Sequence, residues 1–239
     1  MGRPCMSKKI INLNIFSQFQ KELQTLSDSS FFITGTDTDI GKTFISVIIS
    51  HFLHLKYNQV SYIKPVGAGE SQTQSDELFL KEFGPKDILL KTFYSLLLPA
   101  SPHLAAKNES VKIDPISLVQ NIKKILTTQP SGLVEGAGGL MVPLTHEYLI
   151  IDLIQDLQLP TIVIGQAGLG TINHTLLSVN ALRQKGIKVP LIILNNCNKS
   201  VVDTIILDNV KTIQNLTGIK TILFPYIPSI ENFKNDITI

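Results

Sequence analysis

The sequence predicts a single α/β domain built on a mostly parallel sheet with helices on both faces. Short apolar runs alternate with longer segments of helical spacing from residue 31 onward. The runs are rich in β-branched residues and lack polar alternation, as strands buried on both faces do. Strand–helix–strand repeats joined by right-handed crossovers then give an open parallel sheet.

The runs readable as strands are 31–34 (FFIT), 60–63 (VSYI), 132–135 (GLVE), 161–164 (TIVI), 190–195 (PLIILN) and 221–224 (TILF). After the first, 42–56 places Ile45, Ile48, Ile49 and Phe52 at helical spacing. Residues 77–83 read as a short helix. Over 114–128, Asp114 is placed as an N-cap, with Pro115 at the first helical position, where its missing N–H is unpaired anyway. Segments 171–185 and 201–216 are also helical, with Gly186 and Gly218 as C-terminal stops. Residues 1–28 read as a disordered or loosely packed N-terminal extension, ahead of one domain over 29–239. The "MGRPC" before Met6 reads as a leader or an upstream start.

Bulk properties narrow the class. The 239 residues are 44% hydrophobic, which excludes a disordered chain. A net charge of +2 gives no case for nucleic acid or an anionic membrane surface as partner. Cys5 and Cys197 are too few for a disulfide framework and lack metal-ligand spacing, so the expected setting is reducing and cytoplasmic. No apolar stretch approaches the roughly 18 residues that would span a bilayer.

The most informative stretch is "FFITGTDTDIGKTFIS", 31–46. A buried strand runs into a loop of Gly, Thr and Asp that ends in Gly41-Lys42-Thr43 and opens a helix. In a parallel sheet this loop lies at the carboxyl edge, where ligands bind. Its backbone N–H groups, with those of the helix N-terminus, suit phosphate oxygens. Lys42 would reach the terminal phosphates and Thr43 would ligate Mg²⁺. Five residues separate Gly35 from Gly41, one more than in the usual Walker A pattern. The fold is therefore expected to be P-loop NTPase-like, against the plainer alternative of a generic strand–turn–helix connection.

Three further residues fall at the same edge. Lys64, in "YIKPV", ends the second strand and supplies either a second cation for phosphoryl oxygens or an ordinary solvated strand end. Asp76 and Glu135 are the hard oxygen ligands nearest Thr43 for a metal. Asp76 could instead simply favour the start of helix 77–83, and Glu135 could be a solvated strand end. The "GAGG" that follows Glu135 favours close ligand approach.

The motifs "GTDTDIGKT", "IKPVGAG", "SPHLAA", "VEGAGGLMVPL" and "LGTINHTLL" occur in the order and spacing of the dethiobiotin synthetase family, over roughly residues 31–200. The resemblance implies an ATP- and Mg²⁺-dependent cyclo-ligase forming the ureido ring of dethiobiotin from 7,8-diaminononanoate and CO₂. A carbamate and a carbamic-phosphoric anhydride would be the intermediates. It places Lys64 and Lys42 as catalytic residues. Thr38, Asp39, Ile40, Gly41, Lys42, Thr43, Asp76, Glu135, Gly136, Ala137, Gly138, Asn195, Asn196 and Pro225 fall at nucleotide positions. Thr43, Asp76 and Glu135 match the metal ligands. Lys64, Ala68, Leu169, Gly170 and Asn173 match substrate positions, the last three taking the substrate's carboxylate across a homodimer interface.

Two positions depart from the family pattern. Ala68 stands where the family often has serine, and Asn195-Asn196 replaces Asn-Asp. An amide suits the donor–acceptor edge of adenine. His174 and His103 gain no catalytic role from their neighbours. Two rivals are a switch-type ATPase of the chromosome-partition kind and an amidotransferase synthetase. Residues 35–40 lack the early lysine of the first, and the chain leaves no room for the glutaminase domain usual in the second.

Overall fold

A computed structural model describes residues 19–71, 73–197 and 203–227. β1 (Ser30–Gly35), β2 (Ser61–Ala68), β3 (Leu89–Leu96), β4 (Gly132–Gly139), β5 (Thr161–Gln166), β6 (Ile192–Asn195) and β7 (Thr221–Phe224) form one sheet. Their order is β3-β2-β4-β1-β5-β6-β7, and all neighbours run parallel. The helices are α1 (Lys42–Tyr57), α2 (Asp76–Phe83), α3 (Pro102–Asn108), α4 (Pro115–Thr128), α5 (Ile150–Leu157), α6 (Thr171–Gln184) and α7 (Asp203–Thr217).

Alternate residues of β1 fill two separate cores. Phe31 and Ile33 pack with Ile45, Ile49 and Leu53 of α1 and Leu80 of α2. Phe32, on the other face, packs with Leu118 and Ile122 of α4 and with Ile150 and Ile154 of α5. The period of two in a strand puts neighbouring residues on opposite faces, and here both faces are covered. That is why the central strands read as unbroken apolar runs.

The register sets up the site. Ile63 pairs with Val134 and Ile33 with Glu135. Lys64, one step beyond Ile63, therefore stands level with Glu135 on the adjacent strand, beside the loop that leaves β1. β2 and β4 run on to Ala68 and Gly139, so neither residue ends its strand as the sequence suggested.

The expected strands and helices are present, with three additions and two corrections, one to the ends of β2 and β4 and one to the N-terminal extension. β3 has no apolar run, because it is an edge strand whose residues are mostly half-buried or exposed. α3 and α5 are short, at seven and eight residues, and offer little periodicity to read. Asp114 caps α4 as expected, accepting from the backbone N–H groups of Ile116 and Ser117 at 3.1 and 3.3 Å. The loose extension expected over 1–28 is corrected in its last part. Residues 19–24 are helical, and Phe19, Leu23 and Leu26 are buried in the α1-side core. Phe19 meets the Phe224 ring edge-on at 5.2 Å, so its apolar residues form a packing face. Residues 1–18, with Cys5, lie outside the described residues, as do the first two residues of the helix expected over 201–216.

Candidate active site

The loop after β1 closes on itself before α1 begins. Gly41 caps α1 with φ +84° and no side-chain hydrogen bond, which leaves the first-turn N–H groups for a ligand. Only glycine fits there. The φ is left-handed, and an added Cβ would collide with the Asn195 amide. That amide donates from Nδ2 to the Ile40 carbonyl at 2.9 Å, tying the end of β6 to the loop. Lys42 Nζ donates to the Asp37 carbonyl at 2.8 Å, so the ammonium lies across its own loop.

Beside the loop, four side chains from four elements converge. Lys64 Nζ lies 2.5 Å from Asp76 Oδ2 and 3.0 Å from Glu135 Oε1. Thr43 Oγ1 lies 2.8 Å from Asp76 Oδ1 and 2.9 Å from Glu135 Oε1. A hydroxyl has one proton, so it donates to one carboxylate at a time. Ser46, one turn further along α1, donates to Glu135 Oε2 at 2.6 Å. Sequence reasoning missed Ser46; a hydroxyl on the buried face of an apolar helix was the available signal.

Burial and charge act against each other here. Burial pulls the Lys64 ammonium down, but the Glu135 and Asp76 carboxylates more than offset this and hold it above its ordinary value. Burial pushes the Asp76 carboxyl up, yet the Lys64 charge and the hydrogen bonds from Lys64 and Thr43 hold it below the usual range. Lys42 is lowered, first by burial and then by the neighbouring Lys64 charge, against the pull of Glu135. Lys64 is thus fully compensated by its two carboxylates, whereas burial outweighs the compensation at Lys42, which an anionic ligand would restore.

The donor set fits a hard divalent cation. Thr43, Asp76 and Glu135 present only oxygens, within about 3 Å of one another through the threonine hydroxyl. The Lys64 ammonium already occupies a cationic position against both carboxylates. An ion such as Mg²⁺ takes one or two carboxylates, with waters and phosphates completing its shell.

A cavity of about 880 Å³ opens over the cluster, enough for a nucleotide and a small substrate. Of the residues expected from the sequence, Thr38, Asp39, Gly41, Lys42, Thr43, Lys64, Ala68, Asp76, Glu135, Ala137 and Gly138 line it. Ile40 is buried beneath the loop, and Gly136 accepts from Lys64 Nζ through its carbonyl at 3.5 Å. Asn195, Asn196 and Pro225 sit at the carboxyl ends of β6 and β7 and do not line the cavity. Neither do Leu169, Gly170 and Asn173, which lie at the start of α6 with Leu169 94% exposed. His174 is exposed on α6, and His103 contacts Ser101 and His146. Glu70 lines the cavity and was not anticipated; burial pushes its carboxyl up, while a hydrogen bond from Ser95 works the other way.

A family model described as an AAA domain matches residues 29–235. The ATP-dependent dethiobiotin synthetase BioD of Halalkalibacterium halodurans is 36% identical over 221 residues, covering 87% of this chain and 88% of that protein. The protein of the same name from Clostridium perfringens is 36% identical over 217 residues, covering 86% and 94%. That from Rhodopseudomonas palustris is 44% identical over 158 residues, covering 66% and 71%. Among solved structures, the BceF tyrosine kinase domain overlaps with a TM-score of 0.46 at 14% identity, covering 75% of this chain and 74% of that one; it is too distant to bear on function.

Proposed function

The chain belongs to the ATP-dependent dethiobiotin synthetase family, and from that membership we propose how its residues close the ureido ring of dethiobiotin. The substrates are 7,8-diaminononanoate, CO₂ and ATP. One substrate amine adds to CO₂ and loses a proton, giving a carbamate. A carbamate oxygen takes the γ-phosphoryl group and ADP leaves. The second amine then attacks the carbamoyl carbon, the C–O bond breaks, phosphate departs with that oxygen, and the attacking nitrogen releases one proton to the departing phosphate or to water.

No protein nucleophile enters this sequence, so the chain's work is positioning and charge stabilisation. The loop 38–43 and the start of α1 hold the phosphates, with Ala137 and Gly138 lining the cavity on the β4 side and Gly136 contributing its backbone, its missing Cβ making room for Phe32 and Ile150 of the core. Lys42 and Lys64 stabilise the charge that spreads over the transferring oxygens. Thr43, Asp76 and Glu135 would hold Mg²⁺, which when bound supplies Lewis-acid stabilisation of the phosphoryl oxygens. Lys64, on the neighbouring strand, would supply its ammonium to the carbamate oxygens. Asn195, Asn196 and Pro225 lie toward the base. Leu169, Gly170 and Asn173 receive the substrate carboxylate of a second subunit's site, in a cytoplasmic homodimer with no nucleic acid or membrane partner. Among the described residues no helix is long and apolar enough to cross a membrane.

The observation that carries this reading is the meeting of Thr43, Lys64, Asp76 and Glu135 beside the phosphate loop in one cavity. Phosphate release measured with and without the diamine and bicarbonate tests it. Release that requires both is expected. Turnover indifferent to them would match a switch-type ATPase instead.

A further inference from the structure

We propose that Glu70 is a substrate-binding residue, whose carboxylate receives one amino group of the diamine and orients it for ring closure. The inference rests on the functional reading above and adds a residue to it. Glu70 is only 7% exposed, yet lines the same cavity as Lys64, Ala68 and Asp76. Its backbone N–H donates to the Leu96 carbonyl at 3.1 Å, which fixes the turn after β2 against the end of β3.

The carboxylates of the cavity are not equivalent. Asp76 Oδ1 and Oδ2 face Thr43 and Lys64, and Glu135 Oε1 and Oε2 face Thr43, Lys64 and Ser46. All four oxygens therefore have donors. Asp39 is exposed on the phosphate loop. Glu70 Oε2 accepts from Ser95 Oγ at 2.7 Å, and the Asp76 backbone N–H and the Lys64 charge also act on the carboxylate, whereas Oε1 is buried and has no hydrogen-bond partner within 3.5 Å among the described residues. A buried carboxylate oxygen without a donor is costly unless a ligand supplies one. An alkylamine at neutral pH carries up to three N–H donors and a positive charge.

The backbone makes room for this arrangement. The Glu70 carboxyl folds over Gly67, and a Cβ at that position would collide with it. A side chain at residue 67 would push the carboxyl away, since its three nearest neighbours are all atoms at the far end of the Glu70 side chain. Glu70 thus depends on a glycine within the strand that also carries Lys64.

The test is calorimetric titration of 7,8-diaminononanoate, and of the two analogues each lacking one amino group, into wild-type protein, Glu70→Gln and Gly67→Ala. Loss of a hydrogen bond to a charged group is expected to weaken diamine binding about 10- to 100-fold in Glu70→Gln. Gly67→Ala should reproduce the loss by displacing the carboxyl. The analogue that lacks the contacted amine should bind wild type and variants alike. Diamine binding at wild-type affinity in both variants overturns this inference and leaves the functional reading standing. Equal losses for all three ligands overturn it too, since Glu70 would then only support the fold. Failure of wild type itself to bind the diamine overturns the functional reading and this inference with it.

Discussion

The Lys64 ammonium meets Glu135 Oε1 at 3.0 Å, with the two side chains 6% and 0% exposed. A pair so enclosed sits side by side on adjacent strands because Ile63 and Val134 are in register. Two charges withdrawn from water in this way do not stabilise a fold efficiently. Their retention beside a phosphate loop points to work on a charged ligand.

Lys64→Ala is expected to reduce turnover by on the order of 10²–10³, the usual loss for one contact to a developing oxyanion. It should also lower thermal stability, because Asp76 and Glu135 lose the cation between them; breaking a buried pair costs about 3–5 kcal/mol. A thermal melt alongside steady-state kinetics separates the two effects. A variant with near wild-type turnover removes Lys64 from the mechanism.

Glu135→Gln keeps the volume of the side chain and its contact with Ser46 but replaces a charged oxygen ligand with a poorer neutral one. The Mg²⁺ concentration for half-maximal activity should rise. An unchanged Mg²⁺ titration would count against Glu135 as a ligand.

Acid should weaken the fold through Asp76. Its folded pKa lies below the unfolded value because of Lys64 and Thr43, although burial opposes them. Stability from such a group is present above about pH 4 and is lost as pH falls through the folded value. Urea unfolding from pH 6 to pH 3 should therefore show a steeper acid loss for wild type than for Asp76→Asn. Parallel curves would show that Asp76 carries no such linkage.

Asn173→Ala should raise the KM for the diamine and leave ATP binding unchanged. The residue is exposed at the start of α6, outside the cavity of its own chain. The α6 dipole at an exposed site contributes only about 0.3–1 kcal/mol toward a carboxylate. Burial of the segment against a second subunit would strengthen that contribution by lowering the local dielectric. An active monomer in sedimentation at assay concentration would rule out the shared carboxylate site.

The sequence was most legible where one short segment carries both structure and chemistry. Gly41-Lys42-Thr43 marks a loop and a helix start together, and Lys64 and Glu135 end apolar runs at the binding edge. β3 was not legible, because an edge strand with half-buried residues has neither an apolar run nor clean alternation. Glu70 could not be singled out either. Its importance comes from Gly67 beneath it and Ser95 across the sheet, a relationship that only the paired strands create. Asn195 shows a third case. Its amide suits a base edge in sequence, and in the fold its Nδ2 also donates to the Ile40 carbonyl and ties β6 to the phosphate loop, a contact no sequence pattern announces.

The central claim is that this chain couples ATP cleavage to ring closure on a diamine. Mass spectrometry of the product formed from ¹³C-bicarbonate, with ADP quantified in the same reaction, tests it most directly. The expected result is a cyclic urea carrying one ¹³C per molecule, formed in equal amount to ADP and absent when the diamine is omitted. ADP accumulating without a labelled ring product would contradict it.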